Sequence, residues 1–181
     1  EYAKEKISNL AEQEKPFNFT MLTADTHFQD GYKCSNCPDK WDEQYKNVIS
    51  CSSKKVGDLV NWIKKQDFYD NTTIVIAGDH LTMQSNFFEL EEGQEYEKKV
   101  VNIIINPAIE AENTSRSYST FDLYPTTLAA LGVKIEGDRL ALGTNLFSNE
   151  MTLIERYGLE YVNNELMKTS KFYNKKILVS D

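Results

Sequence analysis

The chain has 181 residues, a formal net charge of -8, and 40% hydrophobic and 12% aromatic side chains, which is enough apolar material to pack a globular core and argues against disorder away from the ends. Its only arginines, Arg116, Arg139 and Arg156, build no basic groove along which a phosphate backbone could run, so nucleic-acid binding is disfavoured. No apolar run is long enough to span a bilayer, and Glu1 is neither an initiator methionine nor the start of a signal peptide, so the sequence reads as a single fragment, 1–181, of something larger, any membrane attachment lying outside it.

Residues 2–14 place Ala3, Ile7, Leu10 and Ala11 on one helical face, and Pro16 ends that helix. Residues 17–23 follow as a first buried strand, running into Ala24, Asp25, Thr26 and His27. From His27 to Trp41 the turn formers Asp30, Gly31, Cys34, Ser35, Asn36, Cys37, Pro38 and Asp39 predict a loop that overhangs the strand end. Apolar residues then recur at Val48, Ile49, Val56, Leu59, Val60 and Ile63, the spacing of a long amphipathic helix over 45–66. A turn at Asp70, Asn71 and Thr72 opens a second strand, 73–77, whose β-branched and apolar run lacks polar alternation and so suits a strand covered on both faces, as in a parallel sheet. Gly78 lets the backbone leave that strand. The unit reads as βαβ with a right-handed crossover.

Residues 81–99 are polar and rich in glutamate, the pattern of a solvated loop or helix face. Residues 100–105 form a further buried strand, closed by Asn106 and Pro107. A helix over 119–131 is entered through Thr120 and Asp122, with Pro125 in its first turn, Leu128 and Leu131 facing inward and Gly132 at its end. The glycine-punctuated stretch 137–147 predicts a loop or short hairpin, and helical spacing resumes through Leu153, Ile154, Tyr157 and Tyr161. No repeat and no domain boundary interrupts the chain. The expected fold class is α/β, a mostly parallel sheet flanked by helices.

Both histidines of the chain leave the ends of expected buried strands, and in open parallel sheets ligands gather beyond those ends. Asp79 beside His80 suits Mn²⁺ or Zn²⁺ and, less readily, Mg²⁺. Neighbouring side chains of a strand point to opposite faces, so the two can converge on one ion only just past the strand. The alternative is that Asp79 caps a turn while His80 makes a core hydrogen bond. His27 has three possible roles: a third metal ligand, a hydrogen-bond donor to a substrate oxyanion that can also move a proton, or a structural residue near a turn. Cys34, Cys37 and Cys51 fall in one stretch and suit a local disulfide or reduced thiols better than structural zinc, which lacks a fourth ligand nearby.

Four segments carry a family resemblance: LTADTHFQDGY at 22–32, KNVISCSSKKVGDLVNWIKKQDFYDNTTIVIAGDHLTM at 46–83, FDLYPTTLAALG at 121–132 and GDRLALGTNLF at 137–147. Together they resemble the C-terminal part of the catalytic domain of membrane-anchored phosphoglycerol transferases, relatives of lipoteichoic acid synthase in the alkaline phosphatase and sulfatase superfamily. The resemblance implies an enzyme at the outer face of the cell membrane that moves glycerophosphate from a lipid donor onto a threonine and then to a glycan or polymer hydroxyl. It implies one metal ion, usually manganese, with Asp79 and His80 as two ligands and a glutamate and the threonine upstream of this chain as others. His27 matches the histidine that contacts the substrate phosphate or glycerol, and is implied to be catalytic and substrate-binding.

Thr20, Thr23, Thr26, Thr72 and Thr73 read as strand and turn threonines, none in the family's nucleophile context. The isolated chain is therefore expected to lack turnover and to bind metal weakly. A parent facing outward permits disulfides, and Cys34 paired with Cys51 or Cys37 would pin the loop after His27. Two competing readings are a sulfatase or phosphodiesterase using the same pair for hydrolysis, and a non-catalytic module binding glycan or lipid headgroup.

Overall fold

Helix α1 (Tyr2–Ala11) buries Ile7 and stops ahead of Pro16, so the spacing of its apolar residues sets it more than the proline does. The computed structural model describes residues 1–84, 87, 98–111 and 113–178. Its chain divides into two compact units, Glu1–Asn106 and Pro107–Asp181. Sequence reasoning drew no boundary at this point, because Asn106 and Pro107 are also what an ordinary strand end looks like. Among the described residues no helix is long and apolar enough to cross a membrane.

In the first unit, α2 (Gln44–Ile63) matches the amphipathic helix expected over 45–66. Its inner face buries Tyr45, Val48, Cys51 and Ile63, and enclosing a side chain the size of Val48 contributes about 1.5–3 kcal/mol. Asn47 is 1% exposed and holds the approach to this helix. Its Oδ1 accepts from the backbone N–H of Lys40 at 2.7 Å and of Trp41 at 3.1 Å, and its Nδ2 donates to the carbonyls of Trp41 and Glu43. A buried amide with its hydrogen bonds made is stabilising; the same amide unpaired would cost more than it gives.

Strands β1 (Ile74–Ala77) and β2 (Asn102–Ile105) form where the apolar runs predict them, but they pair antiparallel, Ile74 opposite Ile105 and Ala77 opposite Asn102. The expected parallel arrangement fails here for a reason the sequence contains: the polar, acidic stretch between the strands has no apolar stripe with which a crossover helix could cover a sheet. Most of that stretch, 85–97 with the exception of Phe87, lies outside the described residues. Residues 17–23 are a second correction. They run without ladder hydrogen bonds among the described residues, and Met21 and Leu22 are exposed, Leu22 at 83%. With no strand there, the βαβ unit is not formed. An apolar run specifies a strand only where a neighbouring strand takes up its N–H and C=O groups.

Nor is either strand covered on both faces: no residue of β1 or β2 is fully buried, and Val75 and Ile103 are exposed. The far end of β2 is closed by Asn106, whose side chain donates to the carbonyls of Tyr69 and Thr72, while Thr73 Oγ1 donates to the Asn106 carbonyl.

In the second unit a 3₁₀ turn, Thr120–Asp122, leads into α3 (Leu123–Ala130), with Pro125 in the first turn as expected. Gly132, at φ +83°, ends α3: its N–H donates to Ala129 and the N–H of Val133 reaches back to Leu128. This is the paired C-terminal closure that favours glycine. Leu131 does not face inward; it is 56% exposed, and the buried positions are Pro125, Thr126, Ala129 and Ala130. The error came from extending the helical stripe through the residue where the helix already uncoils. Strands β3 (Arg139–Leu140) and β4 (Gly143–Thr144) make the short hairpin expected over 137–147. The tail forms α4 (Leu153–Tyr157) and α5 (Leu159–Leu166), broken by Gly158 at φ +79°.

Asp122 is the hub of this unit's core, at 1% exposure. Its Oδ1 accepts from the Thr144 N–H at 2.7 Å and its Oδ2 from the Ser119 N–H at 2.8 Å. Thr126 Oγ1 accepts in turn from the Leu146 N–H. Gly143 has no room for a side chain, since a methyl group there would overlap the Phe121 carbonyl. Arg116 is nearly enclosed and forks onto Glu155, its Nε 2.7 Å from Oε1 and its Nη2 2.8 Å from Oε2, and it donates further to the carbonyls of Leu146, Ser148 and Glu150. That guanidinium, with the N–H groups of Thr152 and Ser117, holds the Glu155 carboxyl down at about 2.

Candidate functional site

The first unit brings its two histidines to one cavity of about 340 Å³, lined by His27, Asp79, His80, Tyr45, Lys98 and Lys99 among others. Each histidine arrives on its own loop. The chain leaves the ladder one residue later than expected, because Gly78 still donates to the Val101 carbonyl at 2.8 Å, and Asp79 is the first residue free of the sheet. On the other side, residues 24–32 coil tightly: the His27 N–H donates to Ala24, the Gly31 N–H to His27, and the Tyr32 N–H to Asp25 at 2.7 Å. Gly31 makes this turn possible. It sits at φ +62°, and a methyl group there would come within 2.6 Å of the Asp25 carbonyl and 2.7 Å of Val48 Cγ1.

The two imidazoles are set by the same device. His27 Nδ1 lies 2.7 Å from the carbonyl of Phe28, and His80 Nδ1 lies 2.7 Å from the carbonyl of Leu81. In that geometry Nδ1 carries the proton and donates it, leaving the Nε2 lone pair for a ligand or a proton. Both rings are exposed, so His80 is not the core histidine of the alternative reading. Asp79 takes the turn-capping role and keeps its second oxygen toward His80. Its Oδ1 accepts from the His80 N–H at 3.0 Å, which is the turn-capping role, while its Oδ2 stands 3.7 Å from His80 Nε2.

That separation tests the fit to a metal. Two donors sharing one ion at about 2.0–2.2 Å each must lie within about 4.4 Å of one another. At 3.7 Å, Asp79 Oδ2 and His80 Nε2 meet the condition. Among the described residues the only grouping of three such donors within 4.8 Å of one another is Cys34, Cys37 and Cys51, and His27 lines the same cavity as Asp79 and His80.

Other residues around the cavity were not singled out by the sequence. Tyr45 lies under it, its Oη 2.8 Å from Thr82 Oγ1 and donating at 3.4 Å to the Thr26 carbonyl, which links the loop of His27 to the loop of His80. Gln84 adds a second link, with its Nε2 donating to Asp30 Oδ1 at 2.7 Å and its Oε1 accepting from the Asp30 N–H. In the sequence Tyr45 looks like one more apolar helix residue, and nothing in the spacing separates it from Val48. Lys98 and Lys99 sit directly before the expected strand and give the cavity a cationic edge that suits an anionic ligand.

The loop after His27 is pinned to α2 by a disulfide, but through Cys37 and Cys51. Cys34, expected to be one of the partners, is the free cysteine. The pinning itself follows from geometry, since Cys51 lies on the buried face of α2 while Cys34 and Cys37 lie together in the loop.

A family model described as Sulfatase matches residues 1–133. The phosphoglycerol transferase I of Escherichia fergusonii is 27% identical over 155 residues, covering 82% of this chain and 20% of its own length. The phosphoglycerol transferase I of Salmonella choleraesuis is 28% identical over the same shares. That of Citrobacter koseri is 33% identical over 89 residues, 46% of this chain and 12% of its own. The chain thus spans about a fifth of the length of the first two. No solved structure matches.

Proposed function

Since the chain belongs to the sulfatase family, we propose that it forms part of a metal-dependent transferase site that moves glycerophosphate from a lipid donor to a cell-envelope glycan or polymer hydroxyl. The reading rests on one observation: two loops carry the chain's only histidines to a single cavity, each ring tied at Nδ1 and open at Nε2, with Asp79 beside one of them. The relatives' name, phosphoglycerol transferase, supports the substrate class.

Asp79 Oδ2 and His80 Nε2 would hold the ion, manganese or alternatively magnesium or zinc, and the ion would neutralise charge on a phosphoryl oxygen and acidify a coordinated hydroxyl. His27 meets the substrate. Its open Nε2 takes a proton from the attacking hydroxyl or, once protonated, donates to a phosphoryl oxygen and returns the proton to the leaving group. Lys98 and Lys99 offset the charge of the phosphodiester. Tyr45 and Gln84 keep the two loops in register, and positioning of that kind supplies much of the rate in such transfers.

Two ligands do not complete a shell, so the remaining donors and the nucleophilic threonine come from outside these residues, and the chain alone lacks turnover. The uncovered faces of β1 and β2 support the same view, since such strands belong in a larger sheet. The whole protein is membrane-anchored, with this region on the outer face of the membrane.

The test is manganese-dependent transfer of glycerophosphate from phosphatidylglycerol vesicles to an acceptor glycan by the full-length protein. Asp79→Ala and His27→Ala should each reduce it by about two orders of magnitude; wild-type rates in both would defeat the assignment. The family's description favours one rival, ester hydrolysis with the same pair. Release of inorganic sulfate from a sulfate ester without any transfer would establish that rival.

A further inference from the structure

The cysteine cluster has no part in the transfer chemistry, and its geometry is specific. Cys34 and Cys37 are separated by only Ser35 and Asn36, and the Cys37 N–H donates to the Cys34 carbonyl at 3.0 Å, so a tight turn carries the two side chains. Cys34 Sγ stands 3.3 Å from Cys37 Sγ, while Cys37 is bonded to Cys51 of α2. All three sulfurs lie within 4.8 Å of one another. A free thiol thus rests against one end of a disulfide, at a two-residue spacing that readily forms a disulfide of its own.

We propose that Cys34, Cys37 and Cys51 form a disulfide-exchange site, in which the Cys34 thiolate attacks Cys37 Sγ and converts the loop-to-helix bond Cys37–Cys51 into the loop-local bond Cys34–Cys37. The step balances without an oxidant. The Cys34–Cys37 bond forms as the Cys37–Cys51 bond breaks, Cys51 departs as the thiolate, and the proton given up by Cys34 is regained at Cys51 through solvent. The charged groups around the attacking sulfur favour it. The Asn36 backbone N–H, then Lys55, lower the Cys34 pKa, and Lys55 is held there by Asp25 at 2.9 Å. Lys33 and Asp39 on the same loop pair with each other at 2.7 Å.

What exchange changes is the attachment of the loop. In one state the loop is tied covalently to α2; in the other it is held by the Asn47 hydrogen bonds, by Tyr45 and by the Lys55–Asp25 pair. Asp25 sits two residues before His27, so the exchanging cysteines adjoin the turn that carries the substrate-facing imidazole.

The experiment is non-reducing peptide mapping of the full chain, incubated near pH 8 without added thiol, quenched in acid and digested with pepsin, so that buried Cys51 need not react with any reagent. Both linkages are expected, the Cys34–Cys37 share growing to a steady level within hours, with Cys37–Cys51 alone in Cys34→Ser. Lys55→Met should slow the approach to that level several-fold near neutral pH, where the cation counts, and leave the final ratio nearly unchanged. Cys37–Cys51 as the sole linkage in the unmodified chain after prolonged incubation overturns the proposal, as does a Cys34–Cys37 share that forms only on full unfolding in urea.

Discussion

After β1 the first unit leaves Asp79 and His80 with side chains 76% and 59% exposed, beside a cavity and on loops tied together by the hydrogen bonds of Tyr45 and Gln84. After β3 the second unit does the reverse: Thr144 is fully enclosed, Asn145 is 5% exposed, and the Thr144 N–H, the Asn145 side chain and the Leu146 N–H donate to Asp122, Asp138 and Thr126. Both stretches, TIVIAGDH and GDRLALGTNLF, carry the family resemblance, and as strings of letters they look alike: glycine, a carboxylate, an apolar run. Burial separates them. One leaves its polar groups facing solvent, and the other uses them to hold a small core that has little apolar volume to rely on.

If that contrast is right, the second unit should be sensitive to substitutions in stability and the first in activity. Arg116→Ala should have the largest effect, about 3–5 kcal/mol, because it empties the nearly enclosed site of the guanidinium and leaves the part-buried Glu155 carboxylate and three backbone carbonyls without their donor. Amide hydrogen exchange across α3 and α4 would measure it, and Arg116→Met with Glu155→Met should recover much of the loss. A fall in transfer activity at equal folded fraction would break the contrast. Asp79→Ala should cost about 100-fold in transfer, about 2.7 kcal/mol of barrier, with the melting temperature unmoved, since its side chain is mostly in water. A large drop in melting temperature would make Asp79 structural after all. Gly143→Ala should cost about 2 kcal/mol, the scale of forced overpacking, through its overlap with the Phe121 carbonyl, whereas Gly137→Ala, with open space around it, meets only backbone strain at φ +66°. Equal losses in the two variants would show that space is not what decides.

The smallest effect is a pH effect. The Glu155 carboxyl is depressed from 4.5 to about 2, so its contribution is fully present above the unfolded value and is lost as pH falls toward the folded one. About 1 kcal/mol should disappear from the second unit between neutral pH and about pH 4. Urea midpoints taken across that range would show it, and Glu155→Gln should flatten the profile while lowering stability throughout.

How much of this the sequence disclosed depended on whether a feature is local. α2, the hairpin and the glycine that closes α3 follow from periodicity or turn chemistry, which a short window contains, whereas His27 was expected beyond a strand end that does not form and reaches the cavity of Asp79 and His80 on a coiled loop instead. The pairing direction of β1 and β2 does not, because an apolar run reads the same whichever way its neighbour points. Residues 17–23 show the same limit, since a strand is a relation between two segments. Tyr45 and Asn47 were missed, and Asp122 was read only as a helix entry, for a different reason: each acts through hydrogen bonds to residues that only folding brings near, or through backbone atoms that leave no trace in the letters. Among the cysteines, sequence gave proximity in the chain but not which sulfur faces α2.

The tethers on the two imidazoles run to the carbonyl of the very next residue. Ring orientation is therefore a short-range property, written into two consecutive residues of the chain and independent of more distant parts of the molecule. Freezing a rotamer-rich side chain on binding costs about 0.5–1.5 kcal/mol, and here that entropy is surrendered when the loops form. On the proposed function, an ion or phosphodiester would meet rings that are already aimed, and its affinity would not be diluted by the search.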